Sequence, residues 1–450
     1  MRIHFIAIGG AVMHNLAIAL HKQGHMVSGS DDEIFDPART NLDKYGLLPL
    51  CEGWNPEKIE DDIDLIILGM HARKDNPELA KAKEKGIRIL SFPEFMYEQS
   101  RNKTRVVVGG SHGKTTTTAM IMHALRDNGI PHDYLVGSSL EGYETMVGFS
   151  DHSDLAVFEG DEYLTSPLDP RPKFHLYEPH IALLTGVAWD HMNVFPTWEN
   201  YKEQFEIFAG MIQKGGSYIY FDEDPVLKDI TYQLEDIDIV PYSKLPSRVI
   251  NGKTFVINEG DKIPVPVFGS HNLQNMAGAM EVCNRLGISK SLFLESMKTF
   301  RGAGKRLELI NRPDNEAMVF RDFAHAPSKV GATILAVREQ YPGKTLFACL
   351  ELHTFSSLNK KFLPQYAGTM DQADEAVVFY NPEVVKHKKL PEIFPADIRN
   401  GFRRIDLIVY SDLNDLEEWY INAINQKGIV LMMSSGNFGG LDLQGPRLEA

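Results

Sequence analysis

Cysteine is scarce in this sequence. Three residues in 450, Cys51, Cys283 and Cys349, stand far apart. That excludes a disulfide framework and any cysteine-based metal spacing, and it points to a reducing compartment. Long apolar runs are missing as well. None approaches the ~20 residues that a membrane helix needs. The start, MRIHFIAIGG, has neither the charged leader nor the small-residue cleavage site of a signal peptide. A cytoplasmic chain with no membrane partner is the expectation. Positive charge is in deficit: 46 Lys and Arg stand against 61 Asp and Glu, for a formal net charge of −15. A nucleic-acid backbone needs clustered cations, so a general nucleic-acid binder is excluded. A local basic pocket for a small anion is not. The sequence does not report an oligomeric state.

What is present describes an ordinary globular protein, 43% hydrophobic and 24% charged. A chain of 450 residues is too long for one core, and three domains are expected. RIHFIAI, a Gly9-Gly10 turn, an apolar-periodic helix and MVSGSD read as β-turn-α-β. DDIDLIILGM and GIRILSF add two more buried strands. TRVVVGG opens a second unit, continued by DLAVFEGDE, HIALLTGVAWDH and GSYIYFDED. Around residues 251–269 the pattern shifts to short hairpin strands. MVFRDFAHAP, TLFACLELH, EAVVFYNPE and GIVLMMSSGN form a third strand-and-turn series. Strands alternating with helices predict parallel sheets covered on both faces, so the fold class is α/β. The expected boundaries are 1–101, 102–300 and 301–450, with Arg301–Gly304 as a flexible linker that could act as a hinge.

The segment VVVGGSHGKTTTTAMIMHAL, from Val106 to Leu125, carries the chemistry. A strand runs into a Gly-rich turn and then a helix, the context of a phosphate-binding loop. Gly110, Ser111, His112, Gly113, Lys114, Thr115 and Thr116 supply backbone amides, an ammonium and hydroxyls. The long signature G-x-x-x-x-G-K-[ST] would place glycine at position 108, where Val108 stands. A chance Gly-Lys-Thr turn at a helix start is the bland alternative. Two further segments weigh against it. FEGDEY puts Glu159, Asp161 and Glu162 at the end of one strand, and AWDHM puts Asp190 and His191 at the end of the next. Alone, either acidic cluster is a solvated loop. Together with a phosphate loop they fit the ligand edge of an open α/β sheet, with oxygen ligands for Mg²⁺.

GGSHGKTTTT, FEGDEY, WDHM, GSHNLQN and DFAHAP, in this order, resemble the Mur ligase superfamily, the ATP-dependent ligases of peptidoglycan precursor synthesis. The resemblance covers nearly the whole chain. It implies an N-terminal Rossmann-like UDP-binding domain, a central P-loop ATPase domain and a C-terminal Rossmann-like domain. The shorter loop is a trait of that family. By resemblance Lys114 holds the ATP phosphates, Thr115 and Glu159 bind Mg²⁺, and His191 is the metal-associated histidine. Asn272 and Asn275 match the adenine end. Arg306 and Asp322 match residues that close over ATP, and His325 stands beside the active site. His191 and His325 both remain candidates for general base. A carbamylated lysine is not assigned, because only Lys202 is at hand, at unsuitable spacing.

HFIAIGGAVM resembles the branches that act on UDP-N-acetylmuramate, with Ala7 and Val12 standing where glycine is common. The UDP-substrate candidates are Gly9, Gly10, Ser30, Asp31, His71 and Asn76. The insertion at 161–179 and the stretch SSGNFGGLDL resemble the branch that adds a tripeptide, L-alanyl-γ-D-glutamyl-meso-diaminopimelate. That reaction is the expectation, with L-alanine as the alternative amine. His353 is followed by Thr354, where an arginine for a substrate carboxylate would be natural, so amine recognition stays open. A nucleotide-binding switch without ligase chemistry would need the phosphate loop but not the other motifs.

Overall fold

The computed structural model describes residues 1–189, 194–310 and 317–444. These fall into two compact units. One comprises 1–189, 194–243 and 275–296; the other holds 244–274 and the described part of the chain from 297 onward.

The first unit holds two parallel sheets. In the smaller, β1 (Arg2–Ile6), β2 (Met26–Ser30), β3 (Leu65–Leu68) and β4 (Arg88–Ser91) run in the order β2-β1-β3-β4. Ile3 pairs with Val27 on one side and Leu65 on the other. Ile3 and Phe5 pack with Leu16 and Leu20 of the following helix, whereas Ile6 packs with Ile66 and Leu68. Burial on both faces explains why β1 reads as an unbroken apolar run. The larger sheet takes β5 (Thr104–Gly109), β6 (Asp133–Leu135), β7 (Val147–Gly148), β8 (Leu155–Glu159), β9 (Ile181–Leu184), β10 (Ser217–Phe221) and β11 (Asp238–Tyr242), ordered β11-β10-β9-β5-β8-β6-β7. Only β7 is antiparallel to its neighbour. Strand β5 is central, with β8 and β9 paired directly to it.

The second unit opens with an antiparallel meander of β12 (Ser247–Ile250), β13 (Lys253–Asn258) and β14 (Asp261–Val265). Its main sheet comprises β15 (Glu308–Ile310), β16 (Met318–Asp322), β17 (Leu346–Leu352), β18 (Glu375–Tyr380), β19 (Ile408–Tyr410) and β20 (Ile429–Met433), ordered β15-β16-β20-β17-β18-β19. All are parallel except the edge strand β15. The meander docks on the helix Pro327–Gln340: Thr254 Oγ1 donates to Gln340 Oε1 at 2.8 Å, and Phe268 meets Phe320 and Tyr341 edge-on. All three large sheets are mainly parallel and covered by helices, which is the α/β class expected.

Candidate functional site

The C-terminal ends of β5, β8 and β9 lie side by side, and each carries one of the sequence motifs. Strand β5 delivers the loop Gly109–Gly113 into the helix Lys114–Asp127. Two glycines in that loop are forced. Gly110 has φ +130°, and a Cβ there would fall 2.1 Å from Thr185 Oγ1. Gly113 has φ +80°, and a Cβ would fall 2.2 Å from Asn275 Oδ1. Thr185, at the end of β9, braces the loop by donating to the carbonyls of Gly109 and His112. The first turn of the helix leaves its N–H groups without helical acceptors, as at any helix N-terminus.

Lys114 emerges at the mouth of this loop. Its ammonium donates to Gly110 O and to Glu162 Oε2, both at 2.6 Å. Burial works against its charge, but Glu162, Asp161 and Glu159 outweigh it and hold Lys114 above the ordinary lysine pKa. Glu162 is 1% exposed and also accepts from Tyr201 Oη at 3.3 Å. Tyr201 lies 2.8 Å from Ser111 Oγ, which accepts Ala188 N at 2.9 Å. Asp161 pairs with Lys173 at 2.5 Å. Burial would raise its pKa, yet Lys173 and Lys114 keep Asp161 well below the usual carboxylate range.

Thr115 and Glu159, the two metal candidates within the described residues, are joined. Thr115 Oγ1 donates to Glu159 Oε1 at 2.8 Å, and Glu159 Oε2 accepts Gly137 N at 2.6 Å. Thr116 follows, buried in the helix. His191, the third metal candidate, and Asp190 lie outside the described residues. Among the described residues no three His, Cys, Asp or Glu side chains cluster as a metal site. Lys202 pairs with Glu206 at 3.2 Å along its own helix.

Asn275, expected near adenine, lies against Gly113 of the phosphate loop. Asn272 belongs to the other unit, where its amide donates to Phe268 O at 2.9 Å. In that unit Asp322 is buried and bonded within its own neighbourhood. It accepts Leu307 N and Ala324 N, each at 2.7 Å. This clamps a turn in which Lys305 and Leu307 both adopt φ near +50°. Arg306 lies over the Phe323 ring, its guanidinium carbon 4.6 Å from the centroid. His325 Nδ1 donates to Phe323 O at 2.8 Å, leaving Nε2 as the basic nitrogen. Buried Glu351 accepts from Ser434 Oγ and Phe438 N, organising the Gly-rich turn near His353.

The N-terminal candidates divide. Gly9 N donates to Asp31 Oδ2 at 2.7 Å, which seats the first turn. Burial drives the Asp31 carboxyl up to about 7, with Asp32 adding to it against the Gly9 N–H. Ala7 adopts φ +71°, a left-handed conformation that favours glycine. Gly10 caps the first helix, and Ser30 Oγ accepts from Lys58 Nζ at 2.9 Å. His71 is exposed. Asn76 is a helix cap: its Oδ1 accepts Glu78 N and Leu79 N. A capping role was legible in the N-P-E spelling of the sequence.

Several residues that complete this arrangement escape motif reading. Glu162 sits inside FEGDEY but carries no assigned role there. Tyr201 and Gly137 belong to no motif; Lys173 and Thr185 lie in segments singled out in the sequence, the 161–179 insertion and HIALLTGVAWDH, but with no role assigned there.

Three family models cover the chain: "Mur ligase family, catalytic domain" over residues 2–104, "Mur ligase middle domain" over 108–283 and "Mur ligase, glutamate ligase domain" over 305–436. The UDP-N-acetylmuramate–L-alanine ligase of Streptococcus agalactiae is 32% identical over 383 residues, 82% of this chain and 81% of the relative. Among solved structures, the UDP-N-acetylmuramate-alanine ligase of Thermotoga maritima matches with a TM-score of 0.73 and 21% identity, covering 97% of this chain and 96% of that one. The murein peptide ligase of Psychrobacter arcticus matches with a TM-score of 0.69 and 24% identity, covering 98% and 97%. Those two likenesses speak for the fold. With the sequence relative, the three family models and the strand-end geometry in agreement, the chain belongs to the Mur ligase family, the ATP-dependent ligases that form amide bonds in peptidoglycan synthesis.

Proposed function

We propose that this ligase joins an amine to the carboxylate of UDP-N-acetylmuramate through an acyl phosphate. The observation that carries the reading is the convergence of Lys114, Thr115, Glu159 and Glu162 at two adjacent strand ends, those of β5 and β8. The loop amides and the helix N-terminus hold ATP phosphates, and Lys114 turns from Glu162 to the β/γ oxygens. A substrate carboxylate oxygen attacks the γ-phosphorus and ADP leaves. The amine then attacks the acyl carbon and phosphate departs. Both steps gather negative oxygens, so positioned positive charge is what the site must supply. The amine must arrive deprotonated; His325 Nε2 is the described candidate base, with His191 the other.

The metal pair fits Mg²⁺. Neighbouring oxygens on an octahedral Mg²⁺ at ~2.0–2.1 Å stand about 2.9 Å apart, and Thr115 Oγ1 and Glu159 Oε1 are 2.8 Å apart. Thr115 and Glu159 would hold the ion, which draws charge from the phosphate oxygens. Residues 1–101 would bind the UDP substrate, 102–300 ATP and 301–450 the amine. The cytoplasm is the expected compartment; no described helix is long and apolar enough to cross a membrane.

L-alanine is the amine that the sequence relatives support, since the Streptococcus enzyme is named for it. The tripeptide expected from the sequence has less support. What speaks for it as a second reading is the resemblance of the 161–179 insertion, a loop bridged at Leu164 and Pro172 and closed by Lys173 on Asp161. Mass spectrometry of ATP and UDP-N-acetylmuramate with either L-alanine or the tripeptide decides. Ligation of neither amine, with phosphate release indifferent to both, overturns the ligase reading.

A further inference from the structure

Three hydrogen bonds run in one direction across the nucleotide site, and a fourth meets them from the other side at Glu162. A carboxylate only accepts, so Tyr201 must donate to Glu162. The Tyr201 proton being committed, Ser111 must donate to Tyr201 oxygen at 2.8 Å. Ser111 oxygen in turn accepts Ala188 N at 2.9 Å. Lys114 closes the series on the other Glu162 oxygen at 2.6 Å. The series ties the loops after β5, β8 and β9 to one another through a single phenol. Tyr201 is fully buried, on the helix Trp198–Gly210, and wedged between Phe195 and Phe205 at ring distances of 5.4 and 5.2 Å. Its hydroxyl therefore has little freedom to leave.

We propose that Tyr201 is a positioning residue for ATP, acting through Glu162. This rests on the reading of the Gly110–Thr115 loop as the ATP site. The phenol occupies Glu162 Oε1 and so limits how tightly Glu162 retains Lys114. A nucleotide must take Lys114 away from Glu162, and the phenol's hydrogen bond makes that exchange easier. Without it the carboxylate has one donor fewer and keeps a stronger hold on the ammonium.

The test is a double-mutant cycle on the full chain, with ATP and UDP-N-acetylmuramate affinities measured separately by calorimetry. Tyr201→Phe is expected to weaken ATP about fivefold and leave UDP-N-acetylmuramate within twofold. In a Glu162→Gln background, Tyr201→Phe should change ATP affinity less than twofold. An equal loss in both backgrounds, or a parallel loss for both ligands, overturns the proposal, since either would mark the phenol as simple packing. If Tyr201→Phe does not fold, 3-fluorotyrosine placed at 201 alone keeps the shape and makes the phenol a stronger donor. ATP must then bind more tightly; weaker or unchanged binding counts against the link. Failure of the wild-type chain to bind ATP at all would instead strike the site reading itself.

Discussion

The Glu162 carboxylate holds the Lys114 ammonium at 2.6 Å, with the acid 1% exposed and the lysine side chain 13% exposed. Removing one partner of such a pair strands the other. Lys114→Met is expected to destabilise the ligand-free protein by about 3 kcal/mol, read from urea unfolding. Adding Glu162→Gln should recover most of that loss. Neither variant should form product, while binding of UDP-N-acetylmuramate persists in the double variant. A Lys114→Met protein as stable as wild type would show that the pair does not matter to the resting fold.

The Thr115–Glu159 contact separates metal binding from folding. Thr115→Ala should raise the Mg²⁺ concentration for half-maximal activity about tenfold, in the range typical of lost metal-supporting groups. Glu159→Gln should lower kcat/KM by about a hundredfold or more. Initial rates across a Mg²⁺ titration check both. Activity of Thr115→Ala that is unchanged at limiting Mg²⁺ would remove the hydroxyl from the metal site.

Gly113 and Gly129 make a matched pair. Both have positive φ, but a Cβ at Gly113 meets Asn275 whereas one at Gly129 meets nothing within 4 Å. Gly129→Ala should cost about 1 kcal/mol, the backbone penalty alone. Gly113→Ala should cost more and also weaken ATP. Equal costs in thermal unfolding would mean that Asn275 yields freely.

Asp31 predicts a pH dependence. Its folded pKa of about 7 lies above the unfolded value of 3.8. An acid raised on folding holds its proton more tightly in the native state. Its contribution is therefore present below the unfolded pKa and lost as pH rises through 7. Between pH 4 and 8 wild type should lose about 2 kcal/mol that Asp31→Asn does not lose, allowing for screening. Parallel urea stabilities of the two proteins over that range would refute it.

The strand, Gly-rich loop and helix around Lys114 were legible because their pattern is local. Glycines, lysine and threonine must be contiguous for backbone amides to converge, so they spell a motif. The parallel strands were legible because burial on both faces leaves long apolar runs. Tyr201 and Thr185 were not. Each reaches the loop across a strand boundary, from positions 90 and 75 residues away from Ser111 and Gly110, and nothing local marks them. Asp322 illustrates a different limit. Its motif was visible, but its carboxylate is taken up by Leu307 and Ala324 amides, a use that no spelling shows. Asn76 caps the helix that begins at Pro77, a role that its N-P-E spelling also marks.

The chain enters the second unit at Lys244, leaves it after Gln274 and returns at Met297. A ribosome therefore makes the β12–β14 meander before the helix it docks on exists. Phe268 waits for Phe320 and Tyr341, 52 and 73 residues further on, and Thr254 for Gln340, 86 residues further on. Neither half of the chain, released alone, carries a finished second unit. Severing the polypeptide near 300 should leave the first unit folded in the N-terminal fragment, while the second unit is completed only when the two fragments are mixed.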